Sequence, residues 1–183
     1  GTGMFENKKI AVLGAGKLGE ALITGMIDAG IASKKQFIAT AAHKERLEIL
    51  KKKLGVETTL SNSDAVRKSQ LVLLCVKPQT VGDVLRQVSD DLTPKHVVMS
   101  VAASVTIQFM ESILTAPVPV IRTMPNTPCY IKKGMTAIAP GRRCLKFRSR
   151  YLMRGRRRWT WRSRRLPPGT ICSSSRPRRG GTR

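Results

Sequence analysis

No acidic residue occurs after Glu111. Residues 1–140 hold 18 Lys+Arg against all 11 acids, whereas residues 141–183 hold 16 Lys+Arg and no acid. Two kinds of sequence therefore meet near Gly141. The chain has 4 cysteines, Cys75, Cys129, Cys144 and Cys172, and no two of them form a CxxC pair. That spacing excludes the usual zinc and thioredoxin patterns, and no metal site is expected. No apolar run approaches the roughly 18 residues of a membrane helix. No secretory leader pattern opens the sequence. The expectation is a soluble, cytoplasmic protein with reduced thiols and no membrane partner.

The segment 141–183 lacks sustained two-residue or helical apolar periodicity. A stretch so charged buries too little apolar surface to offset chain entropy, so an irregular or disordered basic tail without a stable domain is expected. Its Arg, Pro, Gly, Ser and Trp without acids match a GC-rich message read out of frame. The tail is therefore expected to be non-native and frameshift-like.

Residues 1–140 are patterned differently. "KKIAVLG", Lys8 to Gly14, is a short apolar run ending in glycine, as in a buried parallel strand. From Leu18 the apolar residues recur at three- and four-residue steps to Ala29, which predicts a helix stopped by Gly30. "QFIATA", "VETT", "LVLLCV", "HVVMSVA" and "PVPVIRTM" predict five more strands. Between them lie "KERLEILKKKLG", "SNSDAVRKS", a helix from Pro78 through Val88, and "TIQFMESIL". Strands alternating with helices predict an α/β fold, a doubly wound parallel sheet of Rossmann type. The expected domains are 1–140, dinucleotide-binding, and 141–183, the tail.

"GAGKLG", Gly14 to Gly19, fits G-x-G-x-x-G between a strand and a helix. In that context Gly14 permits the tight turn, Gly16 lets a pyrophosphate approach the backbone, and Gly19 lets helix and strand pack closely. The helix N-terminus adds free N–H groups and partial positive charge. The bland alternative is a tight strand-to-helix connection. The second strand ends in Thr40 and Ala41, where an NAD site usually has an acid holding the ribose. His43, Lys44 and Arg46 follow. The missing acid favours NADP (NADPH), with NAD as the alternative; the three bases could equally be the solvated start of a helix.

Ligands of an open parallel sheet bind beyond the C-terminal strand ends. "CVKPQ", "SVAAS" and "MPNTP" sit at three such ends. Each has a structural alternative: a proline in a first helical turn, alanine packing, and a rigid turn capped by Asn126. Taken together, they resemble something more specific. "VLGAGKLGEALITG", "LLCVKPQ", "SVAAS" followed by "VTI", and "RTMPNTP" resemble, in order and spacing, the N-terminal domain of pyrroline-5-carboxylate reductase. The resemblance covers residues 8 to about 139.

That resemblance implies reduction of 1-pyrroline-5-carboxylate, a small cyclic imine, to proline by NAD(P)H. It implies that Leu13, Gly14, Ala15, Gly16, Lys17, Leu18 and Gly19 form the pyrophosphate loop. Thr40 would contact the 2′-phosphate side and Asn62 the adenosine region. Cys75, Val76, Lys77 and Pro78 would pass along the ribose and nicotinamide. Ala102 and Ala103 would flank the nicotinamide, with Asn126 near its carboxamide. Ser104 departs from the family's usual glycine, and Cys75 from its frequent alanine. No general acid is evident in 1–140; Lys77 is a candidate by position only. The resemblance also implies a homo-oligomer built by a helical C-terminal half, which residues after Gly141 do not resemble. Activity is therefore expected to be impaired. The alternative reading is a nucleic-acid-binding protein with a vestigial Rossmann domain. Its tail cations, with Trp159 and Trp161, would hold nucleic acid non-specifically.

Overall fold

The computed structural model describes residues 8–125, 136–146 and 159–160. Eleven elements alternate up to Pro125: β1 (Ile10–Leu13), α1 (Lys17–Asp28), β2 (Phe37–Thr40), α2 (Lys44–Leu54), β3 (Glu57–Thr59), α3 (Asn62–Arg67), β4 (Leu71–Leu74), α4 (Val81–Val88), β5 (Val97–Ser100), α5 (Ile107–Ile113) and β6 (Val120–Pro125). β7 (Thr136–Pro140) and β8 (Trp159–Thr160) follow. The sheet runs β3-β2-β1-β4-β5-β6-β7-β8. β1 to β6 are all parallel, while β7 and β8 add antiparallel at one edge.

The apolar runs become central strands because both sheet faces are covered. Every residue of β1, β2 and β4 is buried. Alternate side chains enter two separate cores. Ala11, Leu13, Ile38, Val72 and Leu74 pack with Val66 of α3, Leu85 of α4 and Met110 of α5. Ile10, Val12, Phe37, Ala39, Leu71 and Leu73 pack with Ile23 of α1 and Leu50 of α2. The predicted doubly wound sheet is the observed one, and its reversal point lies between β1 and β4. α2 stops at Gly55, which takes the left-handed conformation with φ +66° and donates to the Lys51 carbonyl at 2.9 Å.

The two antiparallel strands were not predicted. β7 pairs with β6 from Ile121↔Pro140 to Pro125↔Thr136. The packed unit also runs past Pro140. The Gly141 N–H donates to the Val120 carbonyl at 2.8 Å, and Cys144 is buried with its thiol on the same carbonyl at 3.1 Å. The expectation of an irregular tail falls mainly on 147–158 and 161–183, which lie outside the described residues. No described helix is long and apolar enough to cross a membrane.

Candidate functional site

The glycine loop sits where the sheet reverses, between the ends of β1 and β4. Gly14 has φ +73°, a conformation that costs an L-residue about 1–2 kcal/mol. A Cβ there would lie 3.2 Å from the Val76 N and Cα and would overlap the Val76 Cγ1. Gly14 therefore allows the loops after β1 and β4 to touch. Gly19 is a packing glycine, because an added Cβ would meet Val12, Ala15 and Cys75 side chains at 3.3–3.4 Å. Gly16 differs from both. It is exposed, and the nearest atom to an added Cβ is the Gly14 carbonyl at 4.0 Å. No protein contact requires a glycine there, so the cleared volume faces solvent above the helix.

That volume lies over the N-terminus of α1. Gly16 is its N-cap and provides no side-chain acceptor. The first amides of a helix have no intrahelical acceptor. The loop's earlier amides are already engaged: Gly14 N–H with the Thr40 hydroxyl at 3.2 Å, Ala15 N–H with the Thr40 carbonyl at 2.7 Å, and Gly16 N–H with the Gly14 carbonyl at 2.7 Å. The arrangement presents the Lys17 and Leu18 amides, in a partly positive field, to a space without side chains. Such an arrangement can cradle an anion.

The expected site residues divide into two layers. Leu13, Ala15 and Gly19 are buried and shape the loop from below, while Gly16 and Lys17 are exposed. The resemblance implies that Thr40 contacts the 2′-phosphate side of the cofactor. The structure instead places it beneath the loop, 1 % exposed. Its hydroxyl accepts from the Gly14 N–H and donates to Asn62 Oδ1 at 2.6 Å, and Asn62 Nδ2 donates to Gln87 Oε1 at 2.9 Å. The chain Gly14–Thr40–Asn62–Gln87 thus ties the turn to α3 and α4. The exposed bases at that strand end are His43 and Lys44. Arg46 instead turns back to the glycine loop, donating to the Ala15 and Gly16 carbonyls at 3.0 Å each. The sequence identified Arg46 as a base near the cofactor but gave no sign of its direction.

The other strand ends line the same edge. The Cys75 N–H donates to the Leu13 carbonyl at 2.8 Å. Burial pushes the Cys75 thiol up to about 12, so it is a neutral packing group at ordinary pH. Lys77 is exposed and caps a short 3₁₀ turn, Pro78–Thr80, with Pro78 at the first position. Its carbonyl accepts from the Thr80 N–H and hydroxyl at 3.0 Å each. The local geometry is that of a proline-started turn. Ser100 is buried; its hydroxyl accepts from the Ala102 N–H at 3.2 Å and its carbonyl from the Thr123 hydroxyl at 3.1 Å. Ser100 and Thr123, which lie within the SVAAS and RTMPNTP motifs but carry no individual role in the sequence analysis, fix the ends of β5 and β6. Ala102 is buried and Ala103 is exposed beside it. Asn126 lies outside the described residues.

Ser104 has φ +61°, the only positive φ at a non-glycine among the described residues. The glycine that the resemblance implies at this position therefore has a backbone reason. Ser104→Gly is expected to raise stability by about 0.5–1 kcal/mol, the relief of left-handed strain less glycine's greater freedom when unfolded. An unchanged or lower thermal midpoint would contradict that.

Comparison with known proteins agrees with this fold. Residues 9–104, more than half of the chain, match the model of the family described as NADP oxidoreductase, coenzyme F420-dependent. The pyrroline-5-carboxylate reductase of Methanosarcina acetivorans is 37% identical over 138 residues, covering 75% of this chain and 51% of that protein. The solved pyrroline-5-carboxylate reductase of Coxiella burnetii superposes with a TM-score of 0.72 at 28% identity, over 78% of this chain and 53% of that one. A Plasmodium falciparum pyrroline carboxylate reductase solved with NADP bound has a TM-score of 0.69 at 24% identity, over 81% of this chain and 53% of that one; that likeness speaks to fold. The chain spans about half the length of the curated relatives it matches. Over residues 9–104 the chain belongs to the family described as NADP oxidoreductase, coenzyme F420-dependent.

Proposed function

Proceeding from that membership, we propose that this chain carries the NADP(H)-binding domain of a pyrroline-5-carboxylate reductase. The observation that carries the reading is the cradle at Gly16, an open volume over an uncapped helix N-terminus at the sheet's reversal point. The residues present fit a dinucleotide. Lys17 and Leu18 amides would hold the pyrophosphate. His43 and Lys44, exposed at the end of β2 where no acid stands, favour a 2′-phosphate over NAD. The loops after β4 and β5 would receive the ribose and nicotinamide, along Cys75 to Pro78 and beside Ala102 and Ala103.

When bound, the reduced nicotinamide supplies the hydride that reaches the imine carbon, and the imine nitrogen takes up a proton. The protein's part is to hold the rings in contact and exclude water. Lys77, exposed at the end of β4, is the candidate by position for the substrate side. Asn126 completes the expected set, on the resemblance alone.

Proline formation by this chain is proposed to be weak or absent, because residues 141–183 do not resemble the helical half that the family reading calls for. The test has two arms. Calorimetry with NADPH is expected to show binding, and an assay with 1-pyrroline-5-carboxylate is expected to show little proline. Absence of any dinucleotide binding would sink the first arm, and robust turnover the second. Sequencing the locus addresses the tail: an uninterrupted frame encoding 141–183 as given argues against a frameshift.

A further inference from the structure

We infer that Arg46 is a positioning residue that sets the glycine loop for any dinucleotide and does not read the 2′-phosphate. The inference rests on the dinucleotide-binding reading above. Arg46 lies in the first turn of α2, among the bases that follow β2. Its Nε donates to the Ala15 carbonyl and its Nη2 to the Gly16 carbonyl, both at 3.0 Å. The same Nη2 donates to Glu20 Oε2 at 2.6 Å, and the two side chains are 25% and 16% exposed. Glu20 is held from its other side by Lys53 at 2.5 Å. The Lys53 and Arg46 hydrogen bonds keep the Glu20 carboxyl below its ordinary range, so the anchor stays ionised at neutral pH.

Peptide geometry turns these contacts into an effect on the cradle. A trans peptide is planar, and its N–H points opposite its carbonyl. Holding the Gly16 carbonyl toward Arg46 therefore aims the Lys17 N–H the other way. The Gly16 carbonyl also accepts the first helical bond, from Glu20 N–H at 2.9 Å, so one oxygen joins the helix start to α2. Holding the Ala15 carbonyl fixes the neighbouring plane, whose N–H closes on Gly14. A guanidinium is suited to this because its donors form a rigid fork, and a lysine ammonium has no such geometry. The donors facing the loop are occupied by protein acceptors. His43 and Lys44 remain to face a 2′-phosphate.

The test combines two readouts on the full chain. In Arg46→Met, which keeps the aliphatic stem, affinities for NADPH and NADH are expected to fall by the same factor, about 10-fold. Their ratio stays at the wild-type value. Hydrogen exchange of the Gly16 and Glu20 amides, which donate to the Gly14 and Gly16 carbonyls, is expected to quicken about 10-fold in the cofactor-free chain, a loss of roughly 1.4 kcal/mol of local protection. Arg46→Lys restores charge but not protection. A selective loss of NADPH affinity would overturn the inference by making Arg46 a 2′-phosphate reader. Unchanged affinities with unchanged exchange would overturn it by making Arg46 a surface ion pair. If Arg46→Met is too unstable to assay, Glu20→Gln, which loosens the anchor, is expected to shift both readouts in the same direction by less. No shift in that variant also counts against the inference. Wild-type chain that binds neither dinucleotide defeats the functional reading, while the exchange arm still decides whether Arg46 holds the loop.

Discussion

Gly14→Ala is expected to lower the stability of the folded unit by about 3 kcal/mol. Two separate terms add. The positive φ alone costs a non-glycine residue about 1–2 kcal/mol. Forcing a methyl group into a packed contact costs about 1–3 kcal/mol more. The contact is severe because the opposing atoms include backbone: Val76 N and Cα would lie 3.2 Å from the new Cβ, with Val76 Cγ1 closer. Val76 follows β4, whose residues are all buried, so its backbone cannot retreat without disturbing the core. The turn's own anchor is at risk too, since Gly14 donates to Thr40. The expected readout is a thermal midpoint lower by roughly 10 °C and a lower urea midpoint at unchanged slope. Gly14→Asn separates the terms. Asparagine tolerates the left-handed region but brings the same Cβ, so it is expected to recover only the conformational share. Wild-type stability in Gly14→Ala would show that the loops after β1 and β4 are not in contact.

The fold was legible in the sequence wherever burial was two-sided. β1, β2 and β4 read as apolar runs because both of their faces are packed. The stretch that becomes α2 has an amphipathic pattern because Leu47 and Leu50 face the core while Lys51 to Lys53 do not. β7 left no such trace. Thr136–Pro140 contains two alanines and ends in proline, weak strand formers, and its place depends on pairing with the distant edge of β6. The candidate site divides in the same way. The glycine pattern revealed the loop, since backbone conformation selects residue type directly. The orientation of Thr40 and Arg46 was not legible. A residue type at a strand end does not say whether its side chain faces ligand or loop, and here contacts with Gly14, Asn62 and Glu20 decide. Ser104 is intermediate: the departure from glycine was visible, and the backbone angle supplies its meaning.

Gly16→Val is expected to do the opposite of Gly14→Ala, leaving the fold intact while removing the ligand. Gly16 has φ −72° and ψ −154°, extended backbone that valine adopts readily. Its Cβ would meet no atom of the rest of the chain nearer than 4.0 Å. Stability is expected to change by no more than about 1 kcal/mol, the difference between glycine and an apolar residue at an N-cap. The branched side chain would occupy the volume above the Lys17 and Leu18 amides and keep a pyrophosphate from them. NADPH affinity is expected to fall at least about 100-fold, or 2.7 kcal/mol, with NADH affected equally because the pyrophosphate is common to both. Gly16→Ala, with one methyl in the same space, is expected to fall between wild type and valine. Calorimetry on both variants, with thermal unfolding in the absence of cofactor, makes the comparison. Full NADPH affinity in Gly16→Val would mean that the open volume is not where the dinucleotide binds. Loss of affinity at an unchanged midpoint would separate the two glycines by cause: Gly14 is glycine because the protein's own backbone requires it, and Gly16 because a ligand does.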